Sequence, residues 1–438
     1  MLFSKLKKLL TLSNLKKLIY GVLGTLLMGL ITVSIELYLG HDDIEPIDVS
    51  DLVVVDAPVE LEANGFLAIS RIRNKFNSDA EQEQLNAVLN GEAYDVEEWQ
   101  DLLQEYEQEI TLYERAIESE DFLSTQLNSM ADLIPHLGFL RHWGLVKLAK
   151  IKTSQMSDEQ KMKAYIGFNN FARLICRRSQ SFIELLVGGA LQSLVAEQMS
   201  LLIEQSTDPK VLKLILDQKY EYAEIQSNLI RVHKKEFFLI YSMAEAVPGG
   251  DLTIFEDLIE EGSLYTHPLI FNYVFHKNRT IEIFAEIYRE MIKDVSTGIS
   301  AVDYLNKWNS YIDSYSESVN LSEKRNALGK ILPVMYLPAI GTLYQKHVLC
   351  QSRFQLLRVK AAMHSYFLQN GAYPATINDL VPNYLEAVPH NQLSNQEMAY
   401  TRELGSVSCD PDIQIPMFNR ENVTYFYLNR KSRKTEEY

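Results

Sequence analysis

Hydrophobic and polar positions alternate along this chain in three patterns. The first is the run Leu18 to Ile35, about 18 residues without a charge. That is near the lower limit for crossing a hydrocarbon core about 30 Å thick. Lys5, Lys7, Lys8, Lys16 and Lys17 precede it, no acid occurs before Glu36, and Asp42, Asp43, Glu45, Asp48, Asp51 and Asp56 follow. Lysines on one side only predict a cytoplasmic N-terminus, with the rest of the chain beyond the membrane. A cleaved signal peptide would need a shorter apolar region and a small-x-small cleavage site. Glu36-Leu37-Tyr38-Leu39-Gly40 lacks that site, so an uncleaved anchor in membrane lipid is expected. Gly21, Thr25 and Gly29 fall on one face of this helix, a spacing that would let two copies pair as a homodimer.

The second pattern fills the middle of the chain. Apolar residues recur at i, i+3 and i+4, which predicts helix after helix. Helix starts are expected at Asp95 with Glu98, Ser157 with Gln160, Thr253 with Glu256, Asn320 with Glu323, and at Asp208-Pro209. Val247-Pro248-Gly249-Gly250 reads as a break between helices. Phe182 to Ile203 is apolar enough to resemble a second span. Glu184, Gln192, Glu197 and Gln198 favour a buried core helix instead, with Gly188-Gly189 admitting a neighbouring helix. No repeat of fixed period is evident, so an irregular multi-helix domain is expected.

The third pattern begins near Arg353. An amphipathic helix to Gln369 ends at Asn370-Gly371, and a short turn of helix follows at Ile377 to Leu380. Met398-Ala399-Tyr400 and Val423 to Leu428 read as strands of a short hairpin. The expected fold class is therefore mainly α: an N-terminal transmembrane helix, an irregular helical ectodomain and a small α+β C-terminal element. The corresponding division is a basic segment 1–17, an anchor 18–38, an acidic linker 39–60, a helical ectodomain 61–345, a C-terminal element 346–430 and a tail 431–438.

Charge narrows the choice of partners. The formal charge is −16, and Glu36 to Asp121 holds about 24 acids against four bases. No basic face is evident there to neutralise phosphates, so nucleic acid is not an expected partner. Three cysteines do not make a disulfide scaffold. Cys176, within Leu174-Ile175-Cys176, reads as a core thiol, while a Cys350–Cys409 pairing is left open by sequence alone.

No catalytic, phosphate-loop or dinucleotide motif occurs, no cysteine pair has zinc spacing, and no cofactor or metal is expected. The candidates for a binding pocket are His267, His276, Asn278 and Arg279, where a base and an anion-binding arginine could meet. The alternative reading is a helix–loop–helix corner in which Asn278 or Thr280 caps a helix from Ile281 to Ile292. Arg141-His142-Trp143 reads as an interface or core corner.

Leu357 to Pro389 resembles the segment of bacterial pseudopilins, the type II secretion subunits, in which a helix ends at N-G-x-Y-P. Gly371, Tyr373, Pro374, Leu380, Pro382, Tyr384, Leu385 and Pro389 carry this likeness over about 45 residues. About 300 residues separate this helix from the apolar run, whereas pseudopilins place the two together. The resemblance therefore does not imply assembly as a pilin. A wider resemblance is to uncharacterised single-pass helical proteins of bacterial envelopes that end in the same element. Asn64-Gly65-Phe66, His276-Lys277-Asn278-Arg279-Thr280 and Asn326-Ala327-Leu328-Gly329-Lys330 are its landmarks. It implies a single-pass inner-membrane protein with a periplasmic ectodomain and no established activity. The apolar anchor, the missing motifs and the pilin-like end together lead to the expectation of a binding or scaffold role with a protein partner in the envelope. A tethered envelope hydrolase and an accessory of a secretion or pilus machine stay open as alternatives.

Overall fold

The computed structural model of the chain describes residues 25–31, 43–76, 78–125, 136–246, 273–318, 325–391, 393, 398–401, 406–408 and 426–427. After a helical segment at 25–31 come α1 (Gly65–Ile69), α2 (Asp79–Asn90), α3 (Val96–Glu105), α4 (Glu107–Glu118), α5 (His136–Thr153), α6 (Asp158–Arg178) and α7 (Phe182–Gln205). They are followed by α8 (Pro209–Leu216), α9 (Tyr222–Ala246), α10 (Lys277–Ser296), α11 (Ala301–Ser318), α12 (Ala327–Tyr336) and α13 (Pro338–Asn370).

Local chemistry sets several of these boundaries. Ser157 and Gln160 form a reciprocal capping box at α6, each side chain accepting the other's N–H. Asp95 accepts the N–H groups of Glu97 and Glu98 at α3, and Asp208 accepts that of Lys210 at α8, where Pro209 needs no partner. Gly371 closes α13 in the left-handed region (φ 70°), with its N–H on the Phe367 carbonyl. The pairs Thr253 with Glu256 and Asn320 with Glu323, and the break at 247–250, lie outside the described residues.

Helix α7 is apolar on every side, and a helix of that kind is stable only when surrounded. It packs on α6, α13, α5 and α9. Leu185, Leu191, Val195, Met199 and Ile203 are fully buried among them. The two closest approaches fall at adjacent glycines. A Cβ on Gly188 would lie 2.7 Å from Cys176 Sγ and 3.1 Å from the Ala172 carbonyl of α6. One on Gly189 would lie 3.3 Å from Cys350 Sγ of α13. Polar groups buried at this crossing satisfy one another: Gln351 donates to Gln192 (2.6 Å), and Ser193 to the Gly189 carbonyl (3.1 Å). Cys176 and Cys350 are free thiols, and Cys409 lies outside the described residues.

The expected fold class needs correction at both ends. Among the described residues, the two helices long and apolar enough to cross a membrane are Phe182–Gln205 and the continuous stretch Ala327–Asn370, not an N-terminal one. Length and composition alone qualify them, and 56% of the apolar window of Phe182–Gln205 is buried inside the protein. Of the anchor expected at 18–38, only 25–31 is described, a helical segment with Leu26, Leu27, Met28, Leu30 and Ile31 exposed. Thr25 and Gly29 of the small-residue face sit on it, and Gly21 lies outside the described residues.

The C-terminal region is not a separate α+β element either. The helix expected from Arg353 begins at Pro338, so its first half joins α7 and α11 in the main core. Leu380, Leu385, Leu393 and Met398 extend that same core, and the Val302 N–H of α11 bonds the Leu393 carbonyl (3.1 Å). What extended pairing is described is confined to Ala399–Thr401, Ser406–Ser408 and Phe426–Tyr427, segments of two or three residues. The protein is a mainly helical body whose last helix is a central member.

The pseudopilin-like landmarks wrap the end of α13. Tyr373 stacks on Phe367 (4.8 Å between ring centres), and Tyr384 donates to Gln369 (2.6 Å). The Pro374 carbonyl accepts from the Tyr400 hydroxyl (2.7 Å), and Pro382 lies in the turn that follows Ile377–Leu380.

Two glycine substitutions should move stability in opposite directions. Gly188→Ala should destabilise by about 1–3 kcal/mol, because Cys176 and the Ala172 carbonyl leave no room. Gly167→Ala, on an exposed turn of α6 with open space where the methyl would go, should stabilise by about 0.5–1 kcal/mol. Denaturant unfolding of the two variants beside the parent protein checks both.

Candidate functional site

Residues 43–56 form an acidic strap laid along α9 and α10 and held by charge. Asp43 accepts the N–H groups of Asn278 (2.6 Å) and Arg279 (3.1 Å), placing a carboxylate at the positive end of α10. Asn278 in turn donates to the Ile44 carbonyl (2.7 Å). Further along, Arg289 forks onto Asp51 (2.7 and 2.9 Å) and also donates to the Asp48 carbonyl (2.7 Å). Leu52, between these acids, is buried in the core.

The strap ends at Asp56, whose carboxylate accepts from Lys235 (2.7 Å), Arg231 and Gln180 (3.0 Å). The Lys235 side chain is 1% exposed and also donates to the Val54 carbonyl (3.1 Å). Burial pushes the Asp56 pKa up, but the bonds from Lys235, Arg231 and Gln180 outweigh it and hold the carboxyl below its usual range. Next to Lys235, Glu236 accepts the Phe182 N–H at the start of α7 (2.7 Å), and burial lifts its pKa to about 7.

Beside the strap an open cleft of about 770 Å³ lies between the C-terminal end of α6, the outer face of α9 and the last turn of α10. Its floor includes Val54, Leu174 and Ile230, and its charged lining is Arg177, Arg178, Arg231 and Lys234 with Glu120 and Asp121. Arg178 pairs with Asp121, as Arg231 does with Asp56. Gln226 reaches across from α9 to cap the Val295 carbonyl (2.9 Å), which fixes the far wall.

The expected pocket residues have a different occupation. His267 lies outside the described residues. His276 is 2% exposed and ends the loop before α10, which starts at Lys277 rather than Ile281. Thr280 does not cap the helix: its hydroxyl bonds the His276 carbonyl one turn back (2.8 Å), an ordinary arrangement inside a helix. Capping falls to Asp43, more than two hundred residues away in sequence. Asn278 and Arg279 therefore receive the strap, while His276 meets Asn326.

Two landmark asparagines act as brackets. Asn326 sits in the left-handed region (φ 53°), and its Oδ1 accepts the His276 N–H (2.8 Å) and the Thr280 hydroxyl (3.1 Å). A Cβ on Gly329 would collide with those same Thr280 and Asn326 oxygens. Asn64 does similar work at α1: its Oδ1 accepts from Phe66 (3.1 Å) and Leu123 (2.9 Å), and its amide donates to the Leu123 carbonyl (2.9 Å). Arg141-His142-Trp143 is a core corner, with His142 Nε2 accepting the Phe76 N–H (3.1 Å) and Trp143 donating to the Asn74 carbonyl (3.1 Å).

Among the described residues no group of three or more His, Cys, Asp or Glu is arranged to hold a metal ion. Comparison of the chain with family models, curated proteins and solved structures found no match. The cleft arginines and Asp56 were not singled out from sequence.

Replacing Asp56 by Asn should cost about 3–5 kcal/mol, because Lys235 would be left buried without its counter-charge. Amide exchange over 43–56 should accelerate together with the loss, and exchange mass spectrometry would show it.

Acid should weaken the fold in two stages. Burial holds the pKa of both His142 and His233 down to about 4, so these rings stay neutral in the folded state. Unfolded histidine binds a proton near 6.5. Stability should therefore fall as pH drops from about 6.5 towards 4. The Asp56 contribution is fully present above the usual carboxylate range and is lost as pH falls through its lowered value. Denaturant midpoints between pH 7.5 and 4 should show the first stage in the parent and in Asp56→Asn alike.

Proposed function

We propose that this chain is a binding or scaffold protein of the bacterial envelope, with no catalysis of its own, and that the cleft beside the strap receives its partner or ligand. The observation that carries the reading is the cleft itself. Its volume lies in the range of small-molecule sites, and it combines an apolar floor with a few convergent charged groups. The pairing of Arg178 and Arg231 to carboxylates fixes two of its walls, so it is formed before anything binds.

The proposed location is the periplasmic side of the inner membrane. It is supported by the lysines that precede the first apolar run, by the acids that follow it, and by the exposed apolar side chains at 25–31. The likeness of the C-terminal segment to pseudopilins supports an envelope setting and a protein partner there. Fold likeness alone would not define a function.

Site-specific photo-cross-linking in native membranes tests the reading. A benzophenone amino acid at Ser227, in the cleft, should give a discrete covalent adduct with a protein or a small molecule. The same group at Gly167, on an exposed face of α6, should not. No adduct at Ser227, or the same adducts from both positions, would sink it.

A further inference from the structure

We infer that the cleft is an oxyanion site, taking a ligand that carries phosphate or carboxylate groups either free in solution or as a lipid headgroup. The inference rests on the binding reading above and names the chemistry of that ligand. Four cations line the cleft, Arg177, Arg178, Arg231 and Lys234, against the two carboxylates of Glu120 and Asp121, and Asp56, outside the lining, is shared between Arg231 and the buried Lys235. That local excess of positive charge stands in a chain whose formal charge is −16. Like charges held together in a partly desolvated cleft repel, and an anion placed among them relieves the repulsion.

The roles of the cations differ. Arg178 and Arg231 are each fixed by a carboxylate, and their planar forks keep further N–H donors beyond those bonds. Arg177 and Lys234 make no ion pair within 4 Å among the described residues, interacting with Asp121 and Asp51 only through longer-range charge, and stand on opposite walls, one on α6 and one on α9. Charge-assisted bonds from such donors are the strong kind, and arginine matches the two oxygens of a phosphate or carboxylate in one plane. The apolar floor of Val54, Leu174 and Ile230 would take a short apolar portion of the same ligand.

The test uses full-length protein and reads the cleft directly, by hydrogen–deuterium exchange of peptides covering 170–180 and 222–236. The probes are inorganic pyrophosphate, citrate, and vesicles of phosphatidylcholine with or without phosphatidylglycerol. The comparison protein is Arg177→Gln with Lys234→Gln, exposed or half-buried positions whose change should leave the melting temperature unmoved. Protection of both peptides by pyrophosphate or citrate, weakening as salt rises, supports a free anion. Protection only by the phosphatidylglycerol vesicles supports a headgroup. In either case the double variant should bind at least tenfold more weakly.

No protection from any probe, or equal protection in the double variant, overturns the inference. If that happens while Ser227 still gives its cross-linked adduct, the oxyanion assignment fails and the binding role stands. If neither is seen, both fail.

Discussion

Where α7 crosses α6 and α13, two adjacent glycines remove the side chains that would hold the backbones apart. Sulfur from Cys176 and from Cys350 fills the space on either side. Close approach raises the number of dispersion contacts along both crossings, and the gain accumulates over helices of 21, 24 and 33 residues. Once α7 is enclosed, α9 must pack outside it, α10 must pack on α9, and the surface that α9 and α10 share is where the strap lies.

Attraction of a different kind holds the strap. Its acids meet cations and a helix end one after another: Asp43 on α10, Asp51 on Arg289, Asp56 on Lys235 and Arg231. Exposed pairs such as Asp51 with Arg289 contribute little each. The Asp56 cluster is different, because Lys235 is almost wholly out of water and would be strongly destabilising alone. This buried pair, together with Leu52 in the core, fixes the register of a segment whose other ion pairs are weak.

Much of the helical plan was legible. Ser157 with Gln160, Asp208-Pro209 and Gly371 mark their boundaries by local chemistry, and local chemistry is visible in a sequence. The core character of Phe182 to Ile203 could be read from Glu184 and Gln192, and the closeness of its neighbours from Gly188-Gly189. Two readings failed for a common reason. Whether an apolar helix lies in lipid or in protein depends on what surrounds it, and among the described residues it is Phe182 to Gln205 and Ala327 to Asn370, not the expected N-terminal helix, that have the length and hydropathy of a span. The start of α10 was misplaced because its cap is Asp43, a residue no local pattern connects to Asn278. The cleft was hidden likewise: Arg177 and Lys234 become neighbours only through the packing of α6 against α9.

The strap also constrains the order of events during synthesis. Asp56 leaves the ribosome before its partners Arg231 and Lys235, separated from it by 175 and 179 residues. At about 5–20 residues per second the wait is on the order of ten seconds or more. Through that interval the acids of 43–56 are hydrated and the first helices must assemble without them. The strap's Asp56 end can therefore dock only once α9 has been made and brought to it.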